Sequence, residues 1–503
     1  MQSRAHARRL AMCLILILFV PVAPAAAGPK VNVKHTPYLQ LGDAPLPGLP
    51  GNAADQIEVL WQTVPFRRGQ NDDFTVEYRR VGAASWTGAS PIDTIDTGVG
   101  GRVNHFATIR TLDYDADYEY RVTHLRVGDA IATYESTFRT RLAAGDDKAF
   151  KFAAYGDSAG LDTVANFRAV QNRINLVDPA FSLLLGDAVY PVGSHDQFDA
   201  RLDPAINPEL TQYVAGHVDY FAMGNHDAST AGGRPALENY SMPVPVKDVT
   251  SPVAGPVGET PEKNYSFDYG VMHLATFDSN SLNNAGRLDK QLDWLVADMQ
   301  ASDAVWKVVF VHHPIAGSPD KGERPSGNYY QQVVSRLNDA GVDLFLAGHS
   351  HLVHRTFPLL GESGGQAVFV PDMDNDYAKG AGLVQSVSGV GGRGLRPGVF
   401  DPNVYPFDVI GFSTQTTPRV EYGFSLIDVT PDQLRVSYVA ADDGASLDTF
   451  TITVPEPVGL IFLAVMVVCL KRRSMIRRRR ARCRASAVRI RHPTSHPRSR
   501  MPV

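Results

Sequence analysis

Phe181-Ser182-Leu183-Leu184-Leu185-Gly186-Asp187-Ala188-Val189-Tyr190 joins an apolar run to a glycine, a carboxylate and, three residues on, a tyrosine. A short apolar run closed by a glycine turn reads as a strand buried on both faces, as in a parallel sheet covered by helices. Four further segments share this grammar. Phe152–Tyr155 leads to Gly156-Asp157, Tyr220–Met223 to Gly224-Asn225-His226-Asp227, Val308–Val311 to His312-His313-Pro314, and Leu344–Ala347 to Gly348-His349-Ser350-His351. Helical periodicity separates several of them: Val164, Phe167, Val170, Ile174 and Val177 mark one face, and Leu288, Leu292, Leu295 and Met299 another. Strands alternating with helices predict an α/β domain. In open α/β sheets, sites form outside the carboxyl ends of the strands, so these polar residues should meet in one cleft.

The chemistry of that cleft follows from its donors. Two Asp, a Tyr, an Asn and three His form a mixed oxygen and nitrogen set, which suits Fe, Zn or Mn better than Mg or Ca. Taken singly, a Gly-Asp pair is ordinary turn chemistry, and a His after a strand is ordinarily a structural hydrogen-bonding group. Five such ends in order carry the reading. Four of the five turns place a glycine before the donor, which lets the backbone approach closely and bend sharply. Other histidines read more plainly: His195 as an exposed loop residue, His217 and His273 as structural, and His354 as equally compatible with a supporting role and with none.

Outside this region the pattern changes. Residues 31–142 carry short alternating or apolar runs, Gln56–Thr63, Phe74–Arg79, His105–Ile109 and Tyr118–Thr123, spaced as in a small β-sandwich with a supporting or docking task. Ala143–Lys148 reads as a linker, residues 228–265 as a long Pro- and Gly-rich loop insertion, and residues 376–453 as a return to strands.

At 503 residues with 44% hydrophobic side chains, the chain has material for two or three domains and a sizeable core. Its charge is segregated. Residues 471–503 hold 13 Lys/Arg and no acid, the first 28 residues hold 3 Arg, and the middle is left with 32 basic against 53 acidic residues, a net of −21. So acidic a middle makes the folded domains a poor candidate for sequence-independent nucleic-acid binding, which rests on counterion release by Lys and Arg. The three cysteines, Cys13, Cys469 and Cys483, all lie near the ends, so no disulfide is expected in the middle. Arg4, Arg8 and Arg9 before the apolar run Leu10–Val22, then Ala25-Ala26-Ala27, have the pattern of a secretory signal peptide over residues 1–27.

Position by position, the series Gly-Asp, Gly-Asp-x-x-Tyr, Gly-Asn-His-Asp, His-x-Pro and Gly-His-x-His resembles the calcineurin-like metallophosphoesterases. That family usually begins with Asp-x-His, whereas Asp157 is followed by Ser158 and Ala159. The purple acid phosphatases share this loss and use the Tyr of Gly-Asp-x-x-Tyr, here Tyr190, so the chain is most similar to them. Their N-terminal fibronectin-type-III-like sandwich resembles residues 28–142, including His35–Gln40 and Tyr118–Val122. The resemblance implies a multi-domain chain, a β-sandwich followed by an α/β metallophosphoesterase domain over 143–453 built as a four-layer α/β/β/α sandwich. Two departures are visible: Leu352-Val353-His354-Arg355 stands where those enzymes run to Glu-Arg, and Ile315–Asn328 holds no histidine for substrate contact.

That resemblance also implies a dinuclear site. Asp157, Tyr190 and His351 would hold Fe(III), and Asn225, His312 and His349 a divalent Fe, Zn or Mn. Asp187 would bridge the two, since a carboxylate has two acceptor oxygens. A register slip of one residue would exchange His312 for His313. A metal-bound hydroxide would attack a phosphate monoester, with Asn225 and His226 contacting substrate, His226 protonating the leaving group and Asp227 holding His226. Diester or nucleotide hydrolysis on the same site is the alternative, or a silent surface-binding protein.

Val454-Pro455-Glu456-Pro457, the apolar run Val458–Leu470 and the Arg cluster that follows resemble the PEP-CTERM sorting signal of Gram-negative bacteria over residues 454–503. Thirteen apolar residues fall short of the ~20 of a comfortable span. The resemblance implies transient membrane contact, an exosortase-type processing partner, and export to the cell surface, periplasm or extracellular matrix. About 30 residues follow the basic cluster where that signal has only a few, and a nucleic-acid-binding arm is the competing reading of Arg477–Arg480.

Overall fold

The computed structural model describes residues 33–42, 54–64, 72–89, 91–98, 101–158, 162–243, 256, 260, 262–317, 321, 327–363, 366–372, 374–396, 408–411 and 421–456. The expected signal peptide, and the sorting signal beyond Glu456, lie outside the described residues. Among the described residues no helix is long and apolar enough to cross a membrane.

Two antiparallel four-stranded sheets form the N-terminal region. One runs Val33–Gln40, Asp55–Thr63, Val103–Leu112, Ile92–Asp96, and the other Thr87–Gly88, Asp72–Arg80, Asp117–Arg126, Asp129–Arg139. They face each other through Trp61 and Phe74, whose rings meet edge-on at 5.3 Å. Strands 33–40, 92–96 and 129–139 were not expected. Along 129–139 only Phe138 is buried, so this edge strand carries no alternating apolar signal to read.

Between Arg139 and Phe150 the chain leaves the sandwich and enters an α/β domain built on two seven-stranded mixed sheets. The first runs Asp219–Phe221, Ser182–Leu184, Phe150–Tyr155, Gly423–Val429, Gln433–Ala440, Ser446–Thr453, Asp376–Ala378. The second runs Tyr265–Tyr269, Met272–Thr276, Trp306–Val311, Leu344–Ala347, Val384–Ser388, Val353–Thr356, Asp408–Gly411. The ligand-bearing strands 150–155, 182–184 and 219–221 pair in parallel, as do 306–311 and 344–347, so their carboxyl ends point the same way within each sheet.

The period-2 geometry of a strand sorts side chains to the two faces of the second sheet. Val308, Phe310, Leu344 and Leu346 join the core between the sheets, where Tyr220 stacks on Phe267 at 3.9 Å. Their alternates Val309, Val311, Phe345 and Ala347 pack outward against Leu288, Leu292, Leu295 and Met299, and against Val333, Val334 and Leu337. Among the described residues seven α-helices accompany the sheets: α1 (Val164–Val177), α2 (His195–Arg201), α3 (Pro208–Val214), α4 (Asn225–Ala228), α5 (Arg234–Leu237), α6 (Ala285–Ala301) and α7 (Gly327–Asp339). α1 lies against the first sheet through buried Phe167, Val170 and Ile174, and α6 and α7 cover the second, giving helices outside and two sheets within.

Residues 228–265 are not simply a loop: α4, a 3-10 turn at Ala231–Gly233 and α5 occupy the described part before Pro243. The sandwich docks on this face. Tyr38 Oη donates to Asn239 O at 2.9 Å, Asn104 Nδ2 to Glu238 O at 2.6 Å, and Tyr120 Oη to Ala215 O at 2.9 Å.

Candidate metal centre

Each donor sits just past a strand end, and three do so in a strained backbone. Asp157, Asp187 and His349 have φ of +55°, +50° and +69°, a region that costs an L-residue about 1–2 kcal/mol. The left-handed bend thus falls mainly on the donor itself; of the glycines before the donors only Gly186 shares it, at φ +78°. The other glycines serve close approach. A Cβ on Gly224 would stand 2.2 Å from Asp187 Oδ1, and one on Gly348 2.9 Å from Asp157 Oδ2. Any side chain there would push a donor out of the cleft.

All seven residues singled out as ligands come together, in two corners. In the first, Tyr190 Oη donates to Asp157 Oδ1 at 2.8 Å, and His351 Nε2 lies 3.2 Å from that oxygen and 3.3 Å from Tyr190 Oη. In the second, Asn225 Oδ1, His312 Nε2 and His349 Nδ1 form a triangle with edges of 3.0, 3.0 and 3.1 Å. Asp187 lies between the corners. Its Oδ1 is 3.4 Å from His312 Nε2, and Asp157, Asp187 and His312 bring donor atoms within 4.8 Å of one another.

Protein carbonyls orient the imidazoles. His312 Nδ1 faces Leu185 O at 2.9 Å and His351 Nδ1 faces Gly394 O at 2.8 Å. A carbonyl only accepts, so these Nδ1 atoms carry a proton and each Nε2 is the ring atom turned to the centre. Burial strengthens the electrostatics: Asp157, Asp187 and His312 are at most 1% exposed. Burial alone would raise the Asp187 carboxyl, but His312 outweighs it and holds Asp187 down at about 2. Burial opposes a charge on His312, yet Asp187 and Asp157 lift it to about 9. Tyr190 is pushed well above the usual phenol range, by burial first and then by Asp157 and Asp187. Without a cation, therefore, His312 and Tyr190 keep their protons while Asp187 stays charged.

The donor set fits metal. Asn225 Oδ1, His312 Nε2 and His349 Nδ1 converge to within 3.0–3.1 Å of one another. Edges of that length match neighbouring ligands around an ion with bonds of about 2.1 Å. Buried carboxylates need a counter-charge, and a cation supplies one.

Other residues stand differently from their sequence reading. His226 borders the site, with its backbone N–H donating to Asp187 Oδ1 at 2.8 Å and its side chain 37% exposed. Its Nδ1 bonds Pro191 O at 2.5 Å, which aims Nε2 at the cleft, 3.9 Å from Asp187 Oδ2. Asp227 does not hold it. The Asp227 carboxylate accepts from the backbone N–H groups of Gly224, Ala188 and Val189, and so ties two ligand turns together. Burial, then the Asp187 charge, push Asp227 up to about 7.

His312 completes the second triangle; His313, with Nδ1 on Ser279 Oγ at 2.9 Å, also brings a ring nitrogen within 4.8 Å of His312 and His349. His195 is no exposed loop residue but opens α2, paired with Glu238 at 2.7 Å. His354 is buried behind the sheet, 3.5 Å from Gln385 Nε2, while Gln385 Oε1 accepts from Ile315 and Ala316 in the turn after His312. His273 is clamped between Asp268 and Asp298 at 2.6 and 2.9 Å, and His217 stacks on Tyr213.

Sequence reasoning passed over several neighbours. Lys321 Nζ lies 2.8 Å from His349 Nε2, and the Arg393 guanidinium lies 4.9 Å over the Tyr190 ring. Residues 388–394, Ser-Gly-Val-Gly-Gly-Arg-Gly, wrap the first corner, where a Cβ on Gly389 would stand 1.9 Å from Ser350 O. The density of glycine there was a signal of close backbone approach.

Residues 150–353 match the calcineurin-like phosphoesterase family. The α/β domain is thus a calcineurin-like metallophosphoesterase domain, and its fold is that of the purple acid phosphatases. The structure of purple acid phosphatase PPD1 from yellow lupin (Lupinus luteus) superposes with a TM-score of 0.64 at 17% identity, covering 83% of this chain and 74% of that one. Tartrate-resistant acid phosphatase type 5 of Sus scrofa is 23% identical over 336 residues, 61% of this chain and 88% of its own length. An uncharacterized protein of Mycobacterium tuberculosis is 24% identical over 420 residues, 71% of this chain and 76% of its own.

Proposed function

We propose that this protein is an exported phosphatase that hydrolyses phosphate monoesters at a dinuclear metal centre. The observation that carries it is the pair of donor corners meeting at Asp187, each a triangle of side-chain atoms about 3 Å apart. Asp157, Tyr190 and His351 would hold Fe(III), Asn225, His312 and His349 a divalent Fe, Zn or Mn, and Asp187 would serve both. When bound, the two ions supply Lewis acidity to the phosphoryl group and acidify a water to a nucleophile at neutral or lower pH.

The chain's own residues do the rest. Asn225 and His226 stand together on α4, at the mouth of the second corner, where an ester oxygen would enter. Pro191 O fixes the proton on His226 Nδ1, which leaves Nε2 to carry and deliver a second proton to the departing alkoxide. Asp227 keeps the turns at 187–190 and 224–227 in register, a positioning task. The buried walls around Asp157 and Asp187 exclude water and so strengthen each of these interactions.

Export rests on the Arg4–Ala27 pattern and the Val454–Arg480 resemblance to a sorting signal. The N-terminal sandwich fits a fibronectin-type-III-like support domain. The substrate test is direct. Protein purified with iron and zinc or manganese should hydrolyse an aryl phosphate faster than an aryl phosphodiester and show a visible tyrosinate-to-iron band. A diester preference without the band would move the assignment to phosphodiesterase. Absence of turnover would leave a silent binding protein.

A further inference from the structure

α2 is seven residues long, yet it touches the sandwich and both sides of the metal centre. On one face, Asp199 accepts from Lys34 and from Arg102 Nη2, its Oδ1 lies 3.2 Å from Arg102 Nε and 3.3 Å from His35 Nε2, and Asp196 accepts from Arg102 at 2.8 Å. Lys34, His35 and Arg102 all belong to the sandwich. Arg102 and Asp199 side chains are 5% and 18% exposed, so water screens the cluster little.

On the other face, α2 reaches the ligand turns. Arg201, 1% exposed, donates from Nη1 to Ser158 Oγ at 2.8 Å and to Ala188 O at 3.0 Å. Those residues directly follow Asp157 and Asp187. Arg201 also donates to Tyr155 Oη at 3.2 Å and to Tyr240 Oη at 3.1 Å, and lies over the Phe167 ring. Nearer the start of the helix, Gln197 Oε1 accepts from Val192 N and Ser194 N, both at 3.2 Å. That fastens the short loop after Tyr190 and Pro191, the carbonyl of which orients His226.

We propose that the N-terminal sandwich is a working part of the metal centre, with α2 as the strut that couples them. The sandwich pins α2 through Lys34 and Arg102. Through Arg201, α2 holds the Asp157 and Asp187 turns at one spacing, and through Gln197 it holds the Tyr190–Pro191 loop. Arg201, Gln197 and Asp199 are positioning residues, since none touches a donor atom of the site. The proposal rests on the dinuclear reading, and on nothing in the cleft beyond it.

A test uses the full-length, metal-loaded protein in three forms: unaltered, Arg102→Ala, and Tyr120→Phe. The last removes one sandwich-to-domain hydrogen bond that does not involve α2. Metal release to a chelator, the tyrosinate band and aryl phosphate turnover are followed together, with thermal unfolding as a check on folding. Two metals and turnover in the unaltered protein establish the centre independently of the coupling. Arg102→Ala should then lose metal faster and turn over more slowly by roughly 10–100-fold, the usual effect of disturbing groups that support metal ligands. Tyr120→Phe should stay within about twofold of the unaltered protein on that scale. Equal effects in both variants would mean general loosening and overturn the proposal, as would an unchanged Arg102→Ala. Should Arg102→Ala fail to fold, Lys34→Ala, which removes another sandwich cation from Asp199, replaces it, with the same expected direction and the same overturning result.

Discussion

The two corners of the metal centre differ in how they manage without a cation. In the first, the Tyr190 hydroxyl donates to Asp157, so a neutral phenol satisfies a buried carboxylate. In the second, Asn225 Oδ1, His312 Nε2 and His349 Nδ1 stand 3.0–3.1 Å apart, the His312 imidazole is lifted to about 9, and Lys321 Nζ lies 2.8 Å from His349 Nε2. One corner is satisfied by a neutral phenol, and the other by protonated side chains that a bound cation would have to displace. A cation at the second corner would therefore compete with protons, while at the first the phenol would decide which cation it favours.

The change that should break both corners at once is Asp187→Asn, which removes the negative charge and one acceptor oxygen where they meet. At least one metal should be lost, and turnover should fall by more than the roughly 10²–10³-fold that removal of a single preorganised electrostatic group costs. Metal analysis beside turnover checks it. Next in size is His226→Ala, which should spare both corners. Two metals remain while turnover falls roughly 10²–10⁴-fold, and the deficit shrinks for leaving groups that need no proton. Unchanged turnover would remove His226 from the mechanism.

A finer cut separates the corners. Tyr190→Phe should abolish the visible band and weaken the first metal roughly 10–100-fold, leaving the second in place. Asn225→Ala should do the reverse, retaining the band and losing the divalent ion. Sequential release to a chelator, read by colour and by metal content, distinguishes the two. Both variants losing both metals together would erase the comparison.

The smallest effect lies away from both corners. Burial opposes charging His273, but Asp268 and Asp298 outweigh it and raise the imidazole to about 10. A raised pKa stabilises the folded state most fully below the unfolded value of about 6.5, and that gain fades as pH climbs through about 10. The Tm gap between the unaltered protein and His273→Leu should therefore be widest in acid and narrow toward pH 10, with metal content unaffected. A gap that widens with pH would contradict this.

Much of the centre was readable because most donors follow closely on an apolar strand, a pattern that is local in sequence. Asp157, Asp187, Asn225 and His349 follow strand and glycine, His312 follows its strand without a glycine, His351 stands two residues beyond His349, and α1 and α6 announced themselves by apolar spacing. What escaped reading depends on contacts far apart in the chain. Asp227 seemed placed to hold its neighbour His226, yet its carboxylate spans to residues 188 and 189. Arg201 resembles any arginine at the end of a short helix until Ser158, Ala188 and Tyr155 close around it. Strand 129–139 escaped because its side chains are mostly solvated, leaving the alternation unprinted.

The most direct test of the dinuclear centre is stepwise reconstitution. Protein stripped of metal by chelator would be titrated with iron and then with zinc or manganese, following aryl phosphate turnover and bound metal together. The account predicts no turnover before metal is added, and full turnover only as occupancy approaches two ions per chain. Turnover in the stripped protein, or full activity at one ion per chain, would contradict it.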